Sequence, residues 1–260
     1  MKKCKIQINY EDEIKRKRKE NVKEFKRALN DIENNQKLKE KLLSWCDRYD
    51  YDFDELMRKL KKADDILIIG QFAKDPGKQN IHEDMAFDYL LKLPIISKQI
   101  HLSKGKNAKY VVGGKIKEEK GTANIKSLDC YFCYEYKNSK LEFYTSNKYT
   151  KSSGGAQDNQ FNDLQEFMKE ARDVTDKNIF LMAVADGDYY QKKYEEFKNR
   201  IDYFNERYKG TRVIALTSNE ILETVIRESV NWLSESFDDK EVEIEINKLN
   251  QIYDEYYEEG

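Results

Sequence analysis

The sequence predicts an α/β fold with a central mixed sheet flanked by helices, preceded by an N-terminal helical part. Two β-rich segments around Asn138-Ser139 indicate an antiparallel hairpin, and the segments after it alternate between apolar strands and amphipathic helices. A hairpin followed by β-α-β units gives both antiparallel and parallel neighbours in one sheet. The 260 residues are 39% hydrophobic and 12% aromatic, which is enough to bury a sizeable core.

The composition excludes several classes of protein. Charged residues reach 37%, but the aromatic content and spaced apolar runs are those of a folded chain. No apolar stretch approaches about 18 residues, and none follows the basic N-terminus, so we expect a soluble, cytoplasmic protein without signal peptide or membrane span. Four cysteines and two histidines show no spacing typical of structural zinc, and Cys130 and Cys133 are expected to be core thiols.

Local charge is uneven although the net charge is only −2. Residues 1–30 and 97–151 are rich in lysine, whereas the segment 235–260 is strongly acidic. Because local charge sets the field that a ligand meets, the basic segments are consistent with a polyanionic partner. A solvated, lysine-rich surface is the alternative.

The N-terminal helical part is predicted over residues 1–65. Long-chain helix formers fill 11–34 and 37–48, and a short third helix covers 54–62. The core is predicted over 66–235. Its elements are, in chain order, the apolar run 66–72, a helix capped by Asn80 that ends near Pro94, short segments broken by glycine, the hairpin strands 127–137 and 140–149, a helix over 158–172, a strand over 179–185, a long helix over 189–208, a strand over 213–216 and a helix over 219–233.

The acidic tail, 236–260, contains a short alternation of apolar residues over 242–246. This pattern leaves three interpretations open: an edge strand, a surface for a partner, or a solubilising segment.

The hairpin places three polar residues on one face. With Asn138-Ser139 as the turn, Lys137 pairs with Lys140, and counting back puts Asp129 opposite Lys148 and Tyr131 opposite Ser146. Asp129, Ser146 and Lys148 then share a polar face. The opposite, apolar face contains Leu128, Cys130, Phe132, Tyr134, Leu141 and Phe143.

An acid beside a lysine on the next strand can bind a divalent cation and stabilise the negative charge that develops when a phosphodiester is hydrolysed. A surface ion pair is the alternative interpretation of Asp129 and Lys148. Glu135 lies on the same strand as Asp129 but roughly 20 Å away, too far to share a metal ion with it. We therefore expect Glu135 to be a surface residue.

The motifs around the hairpin resemble those of the PD-(D/E)xK nucleases. They are, in chain order, Ser146-Asn-Lys148, the loop Ser153-Gly-Gly155, the helix sequence Gln160-Phe-Asn-Asp163-Leu-Gln-Glu166-Phe-Met168, the strand and turn 179–187, and the strand and helix 213–222. The resemblance covers about residues 75–226 and points to type II restriction endonucleases, in particular the FokI cleavage domain and the MboI/DpnII group. Each motif is short, and their shared order and spacing carry the similarity.

The resemblance implies roles for three hairpin residues. Asp129 corresponds to the first metal-binding acid, within a Leu128-Asp129 that replaces the family's Pro-Asp. Lys148 corresponds to the lysine that orients or activates the attacking water and stabilises developing charge. Ser146 stands where the family has its second acid, and a hydroxyl carries no charge to neutralise Mg²⁺.

Some related restriction enzymes with Ser-x-Lys take the missing acid from the following helix. On a helical wheel of 158–172, Gln160 lies within the apolar face and Asp163 borders it, whereas Glu166 points nearly opposite. Asp163 is therefore the expected substitute acid and metal ligand, with Gln160 as its polar neighbour. The alternative for Asp163 is a charge favoured by the helix dipole.

The segment Gln79 to Glu83 resembles the family's first core helix, whose glutamate often supports the metal site. Glu83 is accordingly a candidate, and a solvated helix residue is the alternative. A further group of lysines is expected to line DNA phosphates, unless it is only a solvated loop: Lys104, Lys106, Lys109, Lys115, Lys117 and Lys120.

The function implied by the resemblance is that of a Mg²⁺-dependent type II restriction endonuclease that cuts double-stranded DNA at a short site as a homodimer. Two alternatives stay open. One is a structure-specific repair nuclease of the same fold. The other is a non-catalytic DNA-binding protein in which Ser146 marks a degenerate or disabled site.

Overall fold

The structure is a computed structural model that describes residues 2–62, 66–75, 81–120, 125–151, 155–238 and 240–259. The chain divides into two compact units, a smaller one of Asn9–Ile81 and a larger one of Met1–Ile8 with His82–Gly260. The division thus falls at Ile81, whereas the predicted N-terminal helical part ends at residue 65. Among the described residues, no helix has the length and apolar character needed to cross a membrane.

The smaller unit is helical. It contains α1 (Tyr10–Asn30), α2 (Gln36–Tyr49), α3 (Phe53–Lys62) and α4 (Ile66–Phe72), with a 3-10 turn at Ile32–Asn34. Asparagine side chains begin two of these helices, because Asn9 accepts the Asp12 N–H and Asn35 accepts the Leu38 N–H. One almost fully buried aliphatic side chain from each helix contributes to a separate core: Leu29, Leu42, Leu60 and Ile69.

The larger unit mixes strands and helices. In chain order it contains β1 (Lys2–Cys4), α5 (Ile81–Leu90), β2 (Ser97–His101), β3 (Tyr110–Val112), β4 (Lys115–Lys117), β5 (Cys130–Tyr136), β6 (Ser139–Tyr149), α6 (Gly155–Ala171), β7 (Ile179–Asp186), α7 (Asp188–Gln191), α8 (Arg200–Arg207), β8 (Val213–Leu216), α9 (Ile221–Ser236), α10 (Lys240–Tyr256) and β9 (Tyr257–Glu259).

Five strands form the central sheet in the order β2-β5-β6-β7-β8. The pairs β2/β5 and β5/β6 are antiparallel, whereas β6/β7 and β7/β8 are parallel. The prediction of an α/β fold with a mixed sheet flanked by helices is therefore confirmed. The finer assignment to the PD-(D/E)xK core stays a prediction.

Both faces of this sheet are apolar. On one face, Phe132, Phe143 and Met182 pack in a cluster with residues of α5, α9 and α10. On the other face, Tyr144 and Leu181 pack in a cluster with residues of α6 and α8. The expected division of the hairpin into one polar and one apolar face is wrong, because α6 covers the face that carries Asp129, Ser146 and Lys148. These polar residues lie at one end of an otherwise apolar surface.

The hairpin register differs by two residues from the prediction. Tyr136 pairs with Ser139 and Cys130 with Thr145, so the turn is Lys137-Asn138, and Lys137 has a left-handed φ of 52°. Neither Asp129 with Lys148 nor Tyr131 with Ser146 is a ladder pair.

Aromatic packing explains this register. It sets Phe132 opposite Phe143, with stacked rings 5.1 Å apart, and Tyr131 opposite Tyr144 at 5.0 Å. A shift of two residues leaves every side chain on its predicted face.

The predicted long helix over 189–208 is also wrong. Two helices, α7 and α8, replace it, separated by a bridge between Tyr194 and Phe197. Arg200 begins α8 with its guanidinium 4.0 Å from the Tyr189 ring centre and 4.9 Å from that of Tyr194. This Arg-centred aromatic cluster folds the chain back between the two helices.

The acidic tail forms α10 and then β9, which pairs antiparallel with β1. Val242 and Leu249 are buried with the core of the larger unit, whereas Ile244 is exposed. The apolar alternation of the tail therefore belongs to a helix, and its three last described residues form the only part of it that pairs as a strand.

Candidate active site

Asp129 lies directly before β5, and its side chain bonds to the backbone of β6 just beyond the last β5/β6 ladder pair. Its N–H donates to the Thr145 carbonyl at 2.8 Å, and its Oδ2 accepts the Asn147 N–H at 2.7 Å. The residue is only 4% exposed. Its other oxygen, Oδ1, accepts no hydrogen bond from any residue that the structure describes. A buried carboxylate is thus fixed by the backbone through one oxygen, and the second oxygen is available.

The electrostatics of Asp129 show which charges surround it. Burial raises the pKa of Asp129, the Lys148 ammonium and the hydrogen bond from Asn147 oppose this rise, and the negative charge of Glu83 adds to it. The positive charge of Lys104 also acts on this carboxylate. Glu83, Lys104 and Lys148 therefore lie within electrostatic range of Asp129.

Ser146 and Lys148 are on β6, two residues apart and so on one face of the sheet. Cys130 with Thr145 is the last pair of the β5/β6 ladder, so Asp129 and Ser146 are the next residue on each of the two chain segments beyond it. On the other side, Ser146 pairs with Ala183 of β7 and Lys148 with Ala185. Ser146 is buried and Lys148 half-buried, and each has an alanine as its neighbour on β7.

Glu83 is in the first turn of α5, where its carboxylate forms an ion pair with Lys104. The preceding His82 stacks on the Tyr149 ring, with 3.8 Å between ring centres and 11° between planes. Because Tyr149 follows Lys148 on β6, this stack connects the start of α5 to the end of β6. Burial lowers the pKa of His82, so the stacked imidazole is neutral at neutral pH.

The helix α6 presents the apolar face that the sequence predicts, with Phe161 and Leu164 buried. Gln160 Oε1 accepts a hydrogen bond from the buried Thr150 hydroxyl at 2.7 Å. Asp163 is half-buried, and its negative charge adds to the effect of burial in raising the pKa of Tyr190. The hydrogen bond with Thr150 places Gln160 at the residue that follows β6.

Among the described residues, no group of three or more acids, histidines or cysteines is arranged to hold a metal ion. Asp129, Asp163 and Glu83 are all described, so they do not form such a trio. The role of Asp163 as a substitute ligand stays a prediction.

Three further expectations concern other residues of β5. Glu135 is exposed, as predicted, and Cys130 and Cys133 are buried free thiols, as predicted. Several expectations fall outside the described residues: those for Gln79, Asn80, and Ser153 and Gly154 of the Ser-Gly-Gly loop.

Sequence reasoning missed three features of this edge of the sheet. Lys104 was expected only as a phosphate contact, and the stack of His82 on Tyr149 joins residues far apart in the chain. Asp186, the acid that ends β7, is buried and accepts hydrogen bonds from both the N–H and the hydroxyl of Ser218. An acid directly after an apolar strand was the one signal that pointed to Asp186.

In comparisons with protein-family models, curated proteins and solved structures, nothing matches the chain. The nuclease resemblance therefore depends on its motifs and on the chemistry of the site alone.

Proposed function

We propose that the chain is a Mg²⁺-dependent endonuclease that hydrolyses phosphodiester bonds of double-stranded DNA, of the type II restriction class. One observation carries the proposal: the buried Asp129 carboxylate, with one oxygen available, lies in electrostatic range of Lys148, Glu83 and Lys104. A buried acid whose ionisation is made costly by burial, beside specific charged partners, is characteristic of functional sites.

Asp129 and Glu83 are the two acids that would hold a magnesium ion in this proposal. Mg²⁺ in nucleotide and nucleic-acid enzymes commonly keeps several waters and takes one or two carboxylates plus substrate phosphate oxygens. Both acids would supply carboxylates, and a bound cation would offset the negative charge of Glu83, which together with burial raises the pKa of Asp129. When bound, the ion would supply Lewis-acid stabilisation of charge on the phosphate.

The remaining chemistry belongs to side chains and backbone of this chain. The Asn147 N–H orients the Asp129 carboxylate, and the Lys148 ammonium donates hydrogen bonds to the attacking water and the scissile phosphate. Water attacks phosphorus in line as the bond to the 3′ oxygen breaks, which leaves a 5′-phosphate and a 3′-hydroxyl. Ser146 contributes a hydroxyl at this position but no charge.

The test is incubation of the 260-residue protein with plasmid and phage DNA at low salt, with and without Mg²⁺. Discrete fragments that require Mg²⁺ and disappear in Asp129→Ala are the expected result. Glu135→Gln is the matched control, since Glu135 is an exposed acid of the same strand, and it should cut like the parent. Products without discrete bands would instead indicate a structure-specific nuclease.

A second candidate function is non-catalytic DNA binding. Two observations favour it: Ser146 replaces the second acid, and the Glu83 carboxylate is already paired with Lys104. Cleavage by Ser146→Glu but not by the parent would show a disabled nuclease. Duplex binding without cleavage in either form, and without a Ca²⁺ site that depends on Asp129, would establish the binding protein. The expected homodimer is checked by sedimentation with and without DNA.

A further inference from the structure

The smaller unit contains an open cleft of about 520 Å³ between α2, α3 and α4. Aromatic and basic side chains make up most of its lining: Trp45, Tyr51, Phe72, Arg58, Lys59 and Lys62. None of the described residues that line it is acidic. The volume lies within the range of small-ligand sites, and the combination of flat apolar surface with positive charge narrows the class of ligand.

The aromatic side of the cleft consists of rings that pack against one another. Trp45 is half-buried, and its ring centre lies 5.8 Å from that of Tyr51 and 5.2 Å from that of Phe72, both in edge-to-face geometry. Tyr49 lies 4.8 Å away on the exposed side. Rings held in this way offer a planar ligand a surface that needs no rearrangement on binding.

The basic side of the cleft is incompletely neutralised. Lys59 forms an ion pair with Glu55 at 3.0 Å and bonds to the Tyr51 hydroxyl. Arg58 and Lys62 are exposed, and neither forms an ion pair with a residue that the structure describes. Two cations therefore remain available beside the rings.

We infer that this cleft binds an unpaired nucleotide of a DNA strand, with the base against Trp45 and its neighbours and the adjacent phosphates at Arg58 and Lys62. Stacking on aromatic rings combined with cations along the backbone is the general mode of single-strand recognition. An acidic peptide would satisfy the cations but would leave the aromatic surface without a planar partner. The inference rests on the proposed function only in taking DNA as the polymer.

The experiment uses the whole 260-residue chain without Mg²⁺, carrying Asp129→Asn so that nothing is cut. The chain has two tryptophans, and Trp232 is buried in the larger unit, so Trp232→Phe makes Trp45 the only fluorescent tryptophan. An oligothymidylate of about ten nucleotides is titrated at low salt, and Trp45 quenching is recorded. Anisotropy of a labelled oligothymidylate, measured without Trp232→Phe, gives the affinity in case that substitution disturbs folding.

We expect Trp45 to be quenched as the oligonucleotide binds. Replacing Arg58 and Lys62 together by glutamine should weaken binding about tenfold or more at low salt. It should also reduce the slope of log affinity against log salt concentration by the amount expected for about two phosphate contacts. The control, Lys23→Gln, removes an exposed cation of α1 outside the cleft and should lower the affinity less. Circular dichroism verifies that each variant is folded.

Three results would overturn the inference: no binding of the oligonucleotide, binding without a change at Trp45, or equal losses in the cleft variant and the Lys23 control. Binding of polyglutamate in place of oligothymidylate would also overturn it, in favour of a peptide site. Thymidine monophosphate, titrated separately, should bind far more weakly, because it lacks the neighbouring phosphates; equal affinity would indicate a free-nucleotide site. If the parent protein binds the oligonucleotide but never cuts duplex DNA, the proposed nuclease activity is refuted, whereas the inferred binding of a DNA strand in the cleft is not.

Discussion

Replacing Asp129 by asparagine should abolish cleavage and at the same time stabilise the protein. Burial raises the pKa of Asp129, so the folded protein binds this proton more strongly than the unfolded chain does. The stability linked to this proton is fully present below the pKa of the unfolded chain and is lost as the pH rises through the higher, folded-state pKa. An amide has no charge to desolvate and can still accept the Asn147 N–H.

The size of the effect follows from opposing contributions. Desolvating one ion costs several kcal/mol even after relaxation, whereas the attraction to Lys148 and the charge-assisted bond from Asn147 return part of it. Burial is the largest influence on the Asp129 pKa, so the balance favours asparagine. We expect a gain of about 1–2 kcal/mol, which for a unit of this size raises the midpoint of thermal unfolding by about 2–8 °C.

Thermal unfolding followed by circular dichroism checks this in mildly alkaline buffer and again in mildly acidic buffer. The difference between Asp129→Asn and the parent should shrink on acidification, while the exposed control Glu135→Gln should stay close to the parent in both buffers. Added Mg²⁺ should raise the midpoint of the parent but not that of Asp129→Asn, since only the parent binds the ion in its folded state. A variant that is less stable than the parent in alkali, or that responds equally to Mg²⁺, would identify Asp129 as a structural acid and refute the reasoning.

Three other substitutions test the same edge of the sheet. Lys148→Met should lower kcat for duplex cleavage about 10²–10³-fold with little change in duplex affinity in Ca²⁺; an equal loss of affinity would make Lys148 a binding residue. Lys104→Met should free Glu83 and raise the affinity for a Tb³⁺ luminescence probe by up to about fivefold, since an ion pair of this exposure is worth at most about 1 kcal/mol. A weaker Tb³⁺ site would contradict the idea that Lys104 competes with the cation for Glu83. Gly187→Ala should destabilise by more than about 1 kcal/mol in urea unfolding, because Gly187 has φ +98° and an added Cβ would lie 2.3 Å from the Thr150 carbonyl oxygen; an unchanged midpoint would show that the backbone relaxes.

The spacing of apolar residues was sufficient to predict the hairpin, the strand 179–185 and the helix α6. In each of them the buried side chains recur with the period of a strand or of a helix. The register of the hairpin depends on which aromatic rings meet across β5 and β6. That choice is made by packing, and no residue of the Lys137-Asn138-Ser139 segment forces it. The break between α7 and α8 likewise depends on Arg200 meeting the rings of Tyr189 and Tyr194, which a helical pattern over 189–208 does not reveal.

For the candidate site, adjacency in the hairpin was enough to place Asp129 near Lys148. The other residues around them could not be predicted in this way, since Lys104, Glu83 and His82 are distant in sequence from both and come together through the packing of α5 beside the sheet. The burial of Asp129 was missed for the same reason: α6 covers the face that alternation marked as polar.

The two-residue turn at Lys137-Asn138 limits how this region can change its length. One inserted residue would shift the pairing of β5 with β6 by one position, unless a bulge absorbed it. Asp129 would then point to the opposite face of the sheet, the face that carries Phe132. A two-residue insertion or deletion would only slide Asp129 along β6, toward or away from Lys148. Loop-length variants of this turn should therefore fall into two groups, with odd changes losing the alignment of the two side chains and even changes retaining it in a displaced form.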